Sequence, residues 1–275
     1  MEIRFKPESI PGFIAEVLPV YLGPLGFDSF TETEEGLNAY IPEDLYDRQA
    51  LEACLHENGF DQASFSETLI TGRNWNVEWE KNYEPVVIDN TCLIRAPFHS
   101  PDTNFPLELV IEPKMSFGTG HHETTSLMVS EMLRIPFGGK QVLDAGCGTG
   151  ILAILAEKLG AVAITAVDID PWCIENAIEN ADRNSCRNIT VLQADTTVLP
   201  HVQFDCILAN INLNILLESI PIYAGRLRTN GILLMSGILA SDTEVLQARA
   251  KQEGFEFSGT RVQQNWALVR YIKTG

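Results

Sequence analysis

Nine residues, Val142 to Gly150 (VLDAGCGTG), constrain the fold of this chain more than any other stretch. An apolar run ends at Asp144, and glycines then alternate at Gly146, Gly148 and Gly150. The segment ILAILAEKLG follows at once and reads as a helix. A strand that feeds a glycine turn and then a helix is the opening unit of a doubly wound α/β sheet. It sets backbone N–H groups and a helix N-terminus against a nucleotide-like ligand. Glycine suits such a turn because it visits positive φ and lets a ligand approach the backbone.

The glycines leave the ligand open. Gly148, Gly150 and Ala153 also satisfy the dinucleotide pattern G-x-G-x-x-A. Asp144 favours another reading, because a carboxylate ahead of the turn opposes phosphates and suits an ammonium or sulfonium group. S-adenosylmethionine carries both. A second acid, Asp168, ends the next apolar run, AITAVD, where a ribose diol is commonly held. The combined pattern reads as a class I S-adenosylmethionine site. The alternative is a nucleotide fold without this cofactor.

From Cys92 onward strands and helices alternate. QVLDA, AITAVD, NITVLQ, FDCILAN and GILLMSG are candidate parallel strands, and helices are expected near 150–160, 171–184, 212–228 and 241–253. In the second helix Asp170 is the expected N-cap and Pro171 the first helical residue, with Ile174, Ala177, Ile178 and Ala181 as the buried stripe. The end, EFSGTRV and NWALVRYI, reads as an antiparallel hairpin. The expected fold is therefore α/β: a doubly wound, mostly parallel sheet with an antiparallel C-terminal strand, covered on both faces.

The first 70 residues read as a separate α+β domain of ferredoxin-like, split βαβ order. EIRFK, FDSFTET, LNAYI and ASFSETLI are its strands. Its first helix is capped by Ser9, with Ile10, Ile14, Val17 and Tyr21 on one face, and its second runs from Asp44 to Asn58. Residues 71–91 form a helical connector ended by Pro85, with Trp75 and Trp79 on one face to pack on a domain. Residues 92–275 form the catalytic domain.

Composition excludes several classes. No run approaches the ~18 apolar residues of a membrane span, and MEIRFKPESI lacks the apolar core of a signal peptide. Six scattered cysteines without a C-x-x-C spacing point to neither zinc nor a disulfide framework, which fits a reducing cytoplasm. A net charge of −18 opposes tight binding to duplex nucleic acid and would steer a basic partner inward.

Two further segments carry candidate chemistry. In EPKMSFGTGHHETT, Glu112 to Thr125, Gly118 and Gly120 mark a loop that approaches something closely. Phe117 packs in the core or against a ligand, and Thr124 and Thr125 cap the following helix or reach the site. Adjacent His121 and His122 lack the i, i+4 spacing of a helical metal pair. In LANINLNILLE, Asn210 ends the fourth strand, where open α/β sheets bind ligands. Its amide offers an uncharged acceptor, which matters if an amine must stay neutral to attack. Otherwise Asn210 caps the next helix.

With NWNVEWEKNYEP, MSFGTGHHETT, VLDAGCGTGILAI, VDIDP, LANI and LLMSGILASD on view, the chain resembles the ribosomal protein L11 methyltransferase (PrmA-type) family over nearly its full length. The FGTGHHETT block and its distance from the glycine loop are the specific part. The resemblance implies a small N-terminal domain that recognises the substrate protein and a catalytic domain that binds S-adenosylmethionine. Carried over by position, cofactor contacts fall on Thr125, Gly146, Asp168 and Asn210. Asp144, Gly148 and Phe117 join them from the residue reading. The implied reaction is methylation of lysine side chains and the α-amino group of ribosomal protein L11, with Asn210 as the catalytic residue. Two departures stand out: APFHS, where relatives often carry Trp after the proline, and Asn212, where an aliphatic or aromatic residue is usual. Rival readings are a class I methyltransferase acting on RNA or a small molecule, and a non-catalytic binding module.

Overall fold

The computed structural model describes residues 1–6, 12–33, 36–60, 62–70, 82–114, 116–195 and 202–274. Ser9, Ile10, Trp75 and Trp79 lie outside them, as do most of the connector and the side chain of Ile14. The chain forms two units, Met1–Asn82 and Tyr83–Gly275.

In the first unit, strands β1 (Glu2–Phe5), β2 (Ser29–Thr33), β3 (Gly36–Tyr40) and β4 (Phe65–Thr68) form an antiparallel sheet of order β2-β3-β1-β4. Helices α1 (Gly12–Leu22) and α2 (Arg48–Glu57) complete the split βαβ order. Among the described side chains of α1 the buried ones are Leu18 and Leu22, whereas Tyr21 is exposed, so the core face at this end is turned one residue from the expected stripe. Asp47 caps α2 by accepting from the N–H groups of Gln49 and Ala50, which starts the helix after Asp44. Leu51 and Leu55 close the core against Ile3, Phe5, Leu37 and Ala39.

The second unit opens with a three-stranded sheet absent from the sequence reading: β5 (Val86–Ile88), β6 (Cys92–Arg95) and β7 (Leu107–Val110). Because β5 pairs with β6, this unit starts ahead of Cys92. The main sheet follows: β8 (Gln141–Ala145), β9 (Ala163–Asp168), β10 (Ile189–Gln193), β11 (Phe204–Asn210), β12 (Leu227–Leu239), β13 (Phe255–Gln263) and β14 (Trp266–Lys273). Its order is β10-β9-β8-β11-β12-β14-β13, parallel from β10 to β12, with β14 antiparallel to both neighbours. The strand order reverses between β8 and β11, and that switch point is where such sheets bind ligands.

Alternation along the central strands shows why they read as unbroken apolar runs. Val142, Cys206 and Leu208 face one core, and Leu143, Ala145, Ile207 and Ala209 face the other. The first face is covered by α3 (Glu123–Met132), α4 (Ile151–Lys158) and Ala177 of α5 (Pro171–Arg183). The second is covered by α6 (Leu213–Arg226) and α7 (Thr243–Gln252). Helix α5 departs from expectation. Its fully buried positions are Asn176, Ala177 and Asn180, while Ile178 stands 46% exposed. No helix among the described residues is long and apolar enough to cross a membrane.

Candidate active site

A cavity of about 660 Å³ opens at the carboxyl ends of β8, β9 and β11. Its size suits a small-molecule site, and its wall is mainly apolar with a few polar groups. Of the residues singled out in the sequence, Phe117, Gly146, Gly148, Asp168 and Asn210 line it together.

The glycine loop accounts for its own donors. Gly146 and Cys147 donate to the Val167 carbonyl at 2.8 and 2.9 Å. Gly148 donates to Asp168 Oδ2 at 2.9 Å, Thr149 to the Phe117 carbonyl at 2.9 Å, and Gly150 to the Cys147 carbonyl at 2.8 Å. All five consecutive N–H groups are thus engaged within the protein, and this turn is not the N–H cradle that a pyrophosphate needs. The reason for glycine also changes. A Cβ on Gly148, at φ +52°, would lie 2.3 Å from the Phe117 carbonyl oxygen, so the loop that must come close is Ser116–Gly118 of the same chain. Thr149 straps that loop down, its hydroxyl donating to the Gly118 carbonyl at 2.6 Å.

Asp168 lines the cavity with its carboxylate fixed from both sides, since Oδ1 accepts from the Asp170 N–H at 3.1 Å. A carboxylate has about four lone-pair sites, so two such bonds leave acceptor capacity for hydroxyl groups. Asp144 does not line the cavity. It is fully buried beneath the loop, where Oδ2 accepts from the Ala153 N–H at 3.0 Å and Oδ1 has no partner among the described residues. Burial pushes its carboxyl up to about 7, and the nearby Asp168 adds to the rise.

Asn210 does not cap a helix. That task falls to Asn212, whose Oδ1 accepts from the Ile215 N–H at 3.2 Å. The Asn210 amide nitrogen reaches Thr125 Oγ1 at 3.5 Å, and its buried Oδ1 has no hydrogen-bond partner among the described residues. Thr125 therefore stands behind Asn210, fully buried, while its neighbour Thr124 lines the cavity. Neither threonine is the cap of α3. His122 is, with Nδ1 accepting from the Thr124 N–H at 3.2 Å. Phe117, His122 and Trp266 form a wall of edge-on rings, with centroids 5.2 and 4.8 Å apart. His121 turns away, its Nε2 2.9 Å from the Glu84 carbonyl. Burial holds the thiols of Cys147 and Cys173 above their ordinary range, so neither serves as a ready thiolate.

The sequence reading missed Ile169, Asp195, Ile211 and Trp266, left Thr124 between cap and site, and weighed His122 only as a metal ligand. Asp195 had a usable signal, because it follows the third parallel strand at the carboxyl edge. Ile169 is apolar yet 71% exposed, beside an acid at a strand end. Trp266 comes from a strand distant in sequence, and no local pattern marks it.

The residues present fit S-adenosylmethionine on the structure's own terms. The cavity is large enough for a nucleoside with an extended tail, its phosphate-type donors are used up, and Asp168 offers acceptors. Asn210 Oδ1 is a buried acceptor left for a donor from outside the protein.

Comparison with known proteins bears on the same site. The family model described as ribosomal protein L11 methyltransferase (PrmA) matches residues 27–274. A ribosomal protein L11 methyltransferase of Porphyromonas gingivalis is 45% identical over 275 residues, covering 98% of this chain and 95% of the relative. That of Phocaeicola vulgatus is 41% identical, covering 99% and 98%. Among solved structures, a ribosomal protein L11 methylase from Lactobacillus delbrueckii subsp. bulgaricus superposes with a TM-score of 0.65 at 27% identity, covering 70% of this chain and all of that one.

Proposed function

The chain belongs to the ribosomal protein L11 methyltransferase family, and from that premise we propose that it transfers methyl groups from S-adenosylmethionine to lysine side chains and the α-amino group of ribosomal protein L11. The observation that carries the reading is the unpartnered, buried Oδ1 of Asn210 at the carboxyl edge of β11. When bound, S-adenosylmethionine would supply a methyl carbon on a sulfonium centre: the amine lone pair forms the N–C bond as the S–C bond breaks, and S-adenosylhomocysteine leaves.

The residues divide the remaining work. Asp168 accepts from the ribose hydroxyls, and Ile169 and Ile211 offer apolar surface to the base. The ring wall of Phe117, His122 and Trp266 favours cationic groups. Asn210 Oδ1 accepts from the target amine and aims its lone pair without adding charge. A free lysine amine has a pKa of ~10.4, so it must lose a proton before it attacks. Desolvation and a neighbouring positive charge both lower that pKa, which leaves the protein the task of alignment. The ferredoxin-like unit recognises the substrate protein. A net charge of −18 supports a basic protein partner over RNA, and the scattered cysteines support work in the cytoplasm.

Incubation with methyl-labelled S-adenosylmethionine and the separated ribosomal proteins tests the reading. Label should enter L11, at lysines and the N-terminus. Label confined to another protein or to RNA refutes it.

A further inference from the structure

Helix α5 buries asparagines where its sequence calls for aliphatic residues, and they have a common task. Asn176, Asn180 and Asn184 follow one another at i, i+4, i+8 on one face. Asn184 pairs with the last residue of β7, accepting from the Val110 N–H at 2.9 Å and donating to the Val110 carbonyl at 2.7 Å. Asn180 reaches further. Its Oδ1 accepts from the Glu112 N–H at 2.9 Å, and its Nδ2 donates to the Thr149 carbonyl at 3.0 Å and to Asn176 Oδ1 at 3.2 Å. The Thr149 carbonyl is open to it because Thr149 precedes Gly150, the N-cap of α4, and so lies outside the helical ladder, whose first bond runs from the Ile154 N–H to the Gly150 carbonyl.

This arrangement links α5 to the cavity wall. Thr149 holds Phe117 and Gly118 through its N–H and its hydroxyl. Asn180 thus anchors the segment that enters the Ser116–Gly118 loop, at Glu112, and the residue that straps that loop down, at Thr149. Only a neutral amide suits the position, since it must donate to a carbonyl and accept from an N–H while fully buried. Aspartate would accept only, and leucine would strand both backbone groups.

We propose that Asn180 is a positioning residue for methyl transfer, setting through Thr149 where Phe117 stands in the cofactor site; this rests on the reading of that site given above. Asn184 is the control, because its side chain bonds Val110 and the Asn180 carbonyl but not Thr149. Asn180→Ala and Asn184→Ala are compared in the full chain by hydrogen exchange and by calorimetry with S-adenosylhomocysteine. Loss of one net hydrogen bond in the loop should speed exchange of the 117–122 amides about tenfold in Asn180→Ala and weaken binding about tenfold. Asn184→Ala should change both by no more than about twofold. Thr149→Val, which deletes the hydroxyl bond downstream, should speed the same amides, and if Asn180→Ala does not fold, Asn180→Asp, which keeps the shape and the acceptor but loses the donor to the Thr149 carbonyl, decides the matter by the same two measurements. Equal changes in the Asn180 and Asn184 variants, or unchanged loop exchange in Asn180→Ala and Thr149→Val, would overturn the assignment. Failure of the wild-type chain to bind the probe would instead overturn the cofactor reading, and loop exchange would still judge Asn180.

Discussion

Replacing Asp144 by asparagine should change how the main sheet's stability depends on pH. The carboxyl is fully buried, accepts one N–H, and leaves Oδ1 without a partner among the described residues. Burial raises it to about 7, against ~3.9 in an unfolded chain. Between these values the folded state keeps a proton that the unfolded state has released. Stability therefore falls as pH rises through this window and levels off above about 7. A gap of about three units corresponds to about 4 kcal/mol lost by pH 8, of which about 1.5 kcal/mol is already lost at pH 5. Wild type should thus lose about 2.5 kcal/mol between pH 5 and pH 8 relative to Asp144→Asn, which cannot ionise. Hydrogen exchange of β8 amides, corrected for intrinsic pH dependence, reads opening of this sheet directly. Wild-type and variant curves that run parallel across the window would show that Asp144 is ionised in the folded protein and that the buried-proton argument fails.

Gly148→Ala should cost about 2–3 kcal/mol, because its Cβ would lie 2.3 Å from a backbone oxygen and force the two loops apart; urea denaturation within experimental error of wild type would refute the contact. Asp168→Ala should weaken S-adenosylmethionine binding roughly ten- to a hundredfold by calorimetry, in keeping with loss of ~1.5–3 kcal/mol from charged hydrogen bonds; unchanged affinity in a folded variant removes it from the site. Asn210→Ala and Asn210→Asp should slow single-turnover transfer at saturating cofactor by about ten- to a thousandfold. The aspartate variant should recover partly as pH rises, because its charge favours the protonated amine. Wild-type rates in both would mean the amine is aligned elsewhere.

Local chemistry made much of this protein readable. The glycine turn, Asp168 and Asn210 follow from strand ends, and the five parallel strands follow from unbroken apolar runs. The failures share a cause, which is that periodicity registers apolar residues and not the hydrogen bonds that make polar burial favourable. Ile174 and Ile178 define the obvious stripe of α5, yet the backbone groups at Val110, Glu112 and Thr149 draw the asparagines inward. Thr124 and Thr125 read either as caps or as site residues, and the cap goes to neither, because His122 holds that position while its ring packs between Phe117 and Trp266. The small sheet of β5, β6 and β7 escaped notice because its strands, three or four residues long, lack the strand–helix alternation that framed the main sheet.

The place of β14 has a consequence for how this protein is made. Synthesis delivers β13 first, yet β14 lies between β13 and β12, and its opening residue Trp266 supplies part of the cavity wall. As the chain grows, β12 keeps one open edge and β13 has no partner strand until a strand translated after both slots between them. A nascent chain halted before Trp266 carries the glycine turn, Asp168 and Asn210, but holds a split sheet and an open site. A message cut short there yields a product that lacks part of its cavity wall and leaves strand edges unpaired, a target for chaperones and proteases.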